Sequence, residues 1–201
     1  MANVFKVMSQ LKRFFETQEI GYASEGEEVL WGTVYGELTN WQWVIRFCGQ
    51  SNGIVSLRAG CPVKMPAERR AAVAEYLMRA NWDLNFGNFE MDWTDGEVNF
   101  RTSIPASANG VSIKAMTDLF YAPCGMMNHY LPGVLAVALA NECPAKAAAA
   151  ASAARLVPRP EIGAAEGIAA SGPLAEVPND SVDETVADKT TRLDRLFGRE
   201  N

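Results

Sequence analysis

The sequence holds a single histidine, His129, so a histidine-based triad could be built only around that residue, and a metal site of several histidines is excluded. It has no run of Lys or Arg longer than a pair such as Arg69-Arg70 and a formal net charge of -6, so the electrostatic footprint of a nucleic-acid binder is missing. Its four cysteines, Cys48, Cys61, Cys124 and Cys143, make no Cys-x-x-Cys pair, and the first residues lack the basic start and apolar core of a secretory signal. A cytoplasmic protein with free thiols is the expectation. The most membrane-like stretch, Leu131 to Ala140, has about half the apolar length a spanning helix needs, and Asn128, His129 and Pro132 interrupt it upstream. Neither a nucleic acid nor a membrane is expected as partner.

Aromatic residues are also missing from a long stretch. They run from Phe5 to Tyr130 and then vanish until Phe197, while Ala, Pro and Glu dominate between Cys143 and Thr185. This places an α+β domain at 1–143 and an Ala/Pro-rich disordered linker at 144–180, although Ala145 to Arg155 has the helix propensity to prolong the last helix. Over 181–201 a short amphipathic helix is expected. Ser181-Val182-Asp183-Glu184 has the capping-box pattern, Asp188 and Arg192 are one turn apart, and Leu193, Leu196 and Phe197 supply an apolar patch suited to recognition.

Within the domain the hydrophobic period changes along the chain. Val4, Met8, Leu11 and Phe15, widened by Phe5 and Phe14, predict a helix ending before Gly21. Three strands follow: Leu30 to Glu37, then Trp41 to Cys48, where Trp41, Trp43, Ile45 and Phe47 alternate with Gln42, Val44 and Arg46, then Val55 to Ala59. Thr39-Asn40 and Ser51-Asn52-Gly53 supply the turns of an antiparallel meander. Pro66 opens a helix to about Asn81, with Val73, Tyr76, Leu77 and Ala80 inward and Glu68, Arg69, Glu75 and Arg79 in water. Asp95-Gly96 predicts a type I′ hairpin that sets Trp93 opposite Val98 and Met91 opposite Phe100. Ile113, Met116, Leu119 and Phe120 predict a further helix, broken or kinked at Pro123 to Gly125 before a second run through Met127, Tyr130, Leu131, Val134 and Ala138. Helix, three strands, helix, two strands and helix argue an α+β sandwich with helices covering one sheet face.

That order, with the runs Glu75-Tyr76-Leu77-Met78-Arg79-Ala80-Asn81, Gly87-Asn88-Phe89-Glu90-Met91-Asp92 and Asp95-Gly96-Glu97-Val98-Asn99-Phe100-Arg101, resembles the bacterial YbjN family over roughly Val4 to Asn141. Tyr130-Leu131-Pro132 with Val134 and Val137 is similar to the family's last helix. The resemblance implies a fold like that of class I type III secretion chaperones, which are cytoplasmic, usually dimeric and non-catalytic, and bind extended segments of partner proteins. The family is labelled a regulator of sensory transduction, and it has no catalytic residues to carry over.

The chemistry-bearing residues point the same way. Cys124 and His129 are five residues apart near a helix break, whereas thiol hydrolases bring nucleophile and base together from distant segments. Asp92, Asp95 and Glu97 lack the spacing of a calcium loop, and Gly32 and Gly36 belong to no phosphate-binding turn. No enzyme, cofactor or metal is expected. The unusual resource is five tryptophans; Trp41 and Trp43 share a face and, with Trp31 or Tyr35, are expected to form an apolar patch for dimerisation or for gripping a partner segment. The reading is a non-catalytic, homodimeric protein-interaction module with a chaperone-like or regulatory role. The alternative is a sensory regulator with a small-molecule pocket between sheet and helices.

Overall fold

The computed structural model describes residues 3–36, 38–48 and 53–154. The tail beyond Ala154, with the expected helix at 181–201, lies outside them. Helix α1 (Val4–Thr17) starts at Asn3, whose side chain accepts the Lys6 backbone N–H at 3.2 Å. Its end is set by Glu19 rather than by Gly21: Glu19 takes a left-handed φ of 56°, and the Ile20 N–H reaches back to the Phe15 carbonyl at 2.9 Å. Val7, Met8, Leu11, Phe14 and Phe15 are buried, while Phe5, expected in the stripe, is exposed.

Six strands form one antiparallel sheet in the order β1-β2-β3-β4-β6-β5: β1 (Ala23–Glu25), β2 (Val29–Tyr35), β3 (Asn40–Cys48), β4 (Ile54–Gly60), β5 (Asn88–Met91) and β6 (Val98–Pro105). The expected meander and hairpin are thus one sheet, because β6 pairs with β4, Val55 opposite Ile104 and Ala59 opposite Phe100. β1 carries no apolar alternation, so the sequence held no signal for it.

The hairpin register differs from the expected one by two residues. Met91 faces Val98 and Phe89 faces Phe100, leaving residues 92–97 as a six-residue loop. A type I′ turn needs positive φ at both central residues, but only Gly96 has it here, at 80°. The loop is fixed from inside by the Asp92 and Asp95 carboxylates, which accept the Thr94 and Glu97 N–H groups at 2.7 and 3.0 Å. From outside, Arg70 donates to the carbonyls of Met65, Trp93 and Thr94. A Cβ on residue 96 would sit 2.2 Å from the Met65 carbonyl oxygen.

Helices α1, α2 (Arg70–Trp82, after a 3-10 turn Ala67–Arg69) and α3 (Ile113–Leu139) gather on one face of the sheet. Phe15, Trp43 and Phe120 meet there with ring centroids 5.0–5.4 Å apart, joining α1, β3 and α3. α3 is a single helix of 27 residues, not two, although Pro123 and Pro132 lie inside it. Pro123 has no N–H for the Leu119 carbonyl one turn back. Thr102 of β6 replaces it, its buried hydroxyl donating to that carbonyl at 2.8 Å. The backbone therefore stays satisfied through the proline.

The first residues of the expected linker are helical. After Asn141, left-handed at φ 57°, Pro144 opens α4 (Pro144–Ala153), which packs Ala147, Ala148 and Ala151 against α2 and α3. Methyl side chains let the helices approach closely, so a stretch that reads as low complexity forms part of the core.

Candidate functional site

The alternation in β2 and β3 divides the expected aromatic patch between two faces. Trp41 and Trp43 point into the helix-covered face and are buried: the Trp43 ring covers Gly32 and the Trp41 ring covers Gly36, where a Cβ would come within 2.7 and 2.0 Å of the rings. Trp31, opposite Val44, and Tyr35, opposite Asn40, belong to the other face. Trp31 is half-buried and Tyr35 is 39% exposed, so these four side chains make no common surface. Leu193, Leu196 and Phe197 lie outside the described residues.

Exposed large apolar side chains are scattered over several elements, Phe5, Trp93 and Ile113 among them, but the two most exposed are on α2. Met78 is 69% exposed and Trp82 87% exposed, and at i, i+4 they are neighbours on one side of the helix. The opposite side of α2 buries Val73, Tyr76, Leu77 and Ala80. Tyr76 is locked there, its hydroxyl donating to the Tyr130 carbonyl at 3.0 Å and filling the space beside Gly133. Glu75 and Arg79 pair at 2.8 Å beside the strip. The sequence does not reveal this strip: a helix expected to end at about Asn81 leaves Trp82 beyond it, whereas α2 runs on through Trp82 and brings it one turn from Met78.

The titratable groups are held in unreactive settings. Cys124 is fully buried, its thiol donates to the Phe120 carbonyl at 3.3 Å, and burial pushes its pKa up to about 12. Burial also raises Cys61, partly offset by a hydrogen bond from the Val63 backbone. His129 Nε2 is 2.9 Å from the Ala151 carbonyl oxygen, which can only accept, so this nitrogen carries a proton and ties α3 to α4. Among the described residues no three His, Cys, Asp or Glu side chains are placed to hold a metal ion.

The face of the sheet that no described helix covers carries a polar ladder. Arg58 and Arg101 are direct cross-strand neighbours, Glu90 reaches both from β5, and Arg46 sits opposite Ser56 one strand away. At the sheet's outer edge Asn81 of α2 accepts the Phe89 N–H at 2.7 Å and donates to the Phe89 carbonyl at 3.0 Å, so its amide occupies the hydrogen-bonding positions of a next strand.

A family described as "Putative bacterial sensory transduction regulator", YbjN, has a model that matches residues 9–123, more than half of the chain and the whole of the sheet. The chain belongs to the YbjN family. No curated protein matches it. The YbjN match begins inside α1 and stops at Pro123, so the second half of α3 and all of α4 lie beyond it. No described helix is long and apolar enough to cross a membrane.

Proposed function

We propose that this YbjN-family chain is a non-catalytic, chaperone-like regulator that binds an amphipathic segment of a partner protein along the outer side of α2. The observation that carries the reading is the Met78–Trp82 strip, with Trp82 87% exposed on a helix whose opposite side is committed to the core. A Trp loses little side-chain entropy when covered and dominates binding energy where it is buried at an interface. The setting of the reactive groups supports binding over chemistry, since the Cys124 thiol stays protonated and His129, five residues further along the chain, is engaged by the Ala151 backbone carbonyl. The four free cysteines fit a reducing cytoplasm.

The test is a photo-crosslinking residue in place of Trp82 in living cells, with the same residue in place of exposed Arg13 as control. A discrete protein adduct at position 82 that disappears when Met78→Asp is added supports the reading, and an adduct of twice the chain's mass names a second copy as the occupant. No adduct, or the same adducts at both positions, refutes it.

A further inference from the structure

We infer that the sheet face that no described helix covers binds a small multivalent oxyanion, a phosphate ester or a polycarboxylate, at Arg58 and Arg101 with Arg46 beside them. Arg58 and Arg101 stand directly opposite each other on β4 and β6, a placement in which like charges repel. They are held together by one carboxylate: Glu90 Oε1 accepts from Arg58 Nε at 2.5 Å, and Oε2 lies 3.4 Å from Arg101 Nε. A carboxylate between two guanidinium groups is the arrangement an anionic ligand would adopt, and here a side chain of the edge strand occupies it.

The neighbouring positions extend the site. Arg46, opposite Ser56 on the next strand, is diagonal to Arg58, and exposed Ser103 donates to Ser56 Oγ at 3.0 Å. The Ser56 hydroxyl itself donates to the Thr102 carbonyl at 3.2 Å. Two accessible guanidinium groups and the exposed Ser103 hydroxyl therefore share one face with Arg46 and Ser56, which are buried, in a chain whose formal net charge is -6. Such a cluster is a local feature and not a sample of a basic surface. The accessibility is graded: the Arg101 side chain is 40% exposed, Glu90 28% and Arg58 16%. An incoming oxyanion meets Arg101 first and reaches Arg58 by displacing Glu90. The rigid, planar forks of arginine match phosphate and carboxylate oxygens equally, so the chemistry alone leaves both sources open. The site is separate from the α2 strip and does not rest on the proposed protein binding.

Titration calorimetry of the full chain with sodium pyrophosphate, trisodium citrate and sodium chloride at matched ionic strength tests the inference. The expected result is saturable heat with an oxyanion and none with chloride; pyrophosphate alone names phosphate esters, citrate alone names polycarboxylates, and both together name a general oxyanion site. Arg101→Gln, at a half-exposed position, is expected to weaken binding roughly tenfold, and Arg101→Lys, which keeps the charge but loses the fork, to weaken it less. Glu90→Gln removes the internal competitor and is expected to tighten binding about threefold, a gain that damage to the fold would not produce. Absence of saturable heat with both oxyanions overturns the proposal. So do unchanged affinity in Arg101→Gln and a loss of affinity in Glu90→Gln.

Discussion

Thr102→Val isolates the contact that keeps α3 continuous. The replacement preserves side-chain shape and removes one hydroxyl, which in the structure donates at 2.8 Å to the Leu119 carbonyl. Pro123 supplies no N–H to that carbonyl, and both Leu119 and Thr102 are buried, so the variant leaves an acceptor without donor or water. Leaving a buried acceptor unsatisfied costs about 1–3 kcal/mol, and that is the expected destabilisation. Pro123→Ala restores the N–H. In that background Thr102→Val is expected to cost less than about 1 kcal/mol, giving a coupling on the order of 1 kcal/mol or more between two positions 21 apart in sequence. Urea unfolding of the four proteins, followed by tryptophan fluorescence and far-UV circular dichroism, measures each term, provided that the slope with denaturant is unchanged. A neutral Thr102→Val, or additive single effects, would refute the claim that the hydroxyl replaces the missing helix bond.

Four further outcomes follow from the same geometry. Gly96→Ala places a methyl group 2.2 Å from the Met65 carbonyl oxygen at a φ of 80° and is expected to destabilise by at least ~2 kcal/mol in chemical unfolding. Trp43→Ala empties the aromatic junction and is expected to cost about 3–5 kcal/mol, whereas Trp82→Ala changes stability by less than about 0.5 kcal/mol; equal losses would contradict the division into buried and exposed tryptophans. Asn81→Ala removes both hydrogen bonds to Phe89 and is expected to speed amide exchange in β5 relative to β4. Cys124 in the folded chain titrates at about 12 against an ordinary 9.0, so the neutral thiol is favoured by folding. Its contribution is complete below pH 9 and is lost as the pH rises through 12; unfolding free energy is therefore expected to fall above pH 9, and to fall less steeply in Cys124→Ala.

Much of the fold was legible because local periodicity is a direct image of burial. The α1 stripe, the alternation in β3 and the inward side of α2 needed no tertiary information. What periodicity lacks is any record of what lies beyond a face. Trp41 and Trp43 share a side in any strand, but only the arrival of Phe15 and Phe120 makes that side the interior. The hairpin register shows a related limit: a slip of two residues keeps every side chain on its face, so the pattern could not separate Trp93 opposite Val98 from Met91 opposite Val98. The choice was made by contacts distant in sequence, Arg70 on the loop carbonyls and Met65 against Gly96. α3 was misread at Pro123 for the same reason, since the residue that repairs the break is on another element. At the candidate site, the Met78–Trp82 strip was missed because the expected helix stops at about Asn81, and the meeting of Arg58, Arg101 and Glu90 required the β4–β6 pairing, which no turn signal announces.

The Asn81 amide has a consequence for assembly. A sheet with two open edges can join copies head to tail without end, because each addition exposes a new edge identical to the last. Here the β5 edge is capped at Phe89 by a side chain of its own chain, so a strand from another copy could pair at that residue only by displacing the Asn81 amide. One amide thus blocks strand addition where β5 would otherwise offer its N–H and carbonyl.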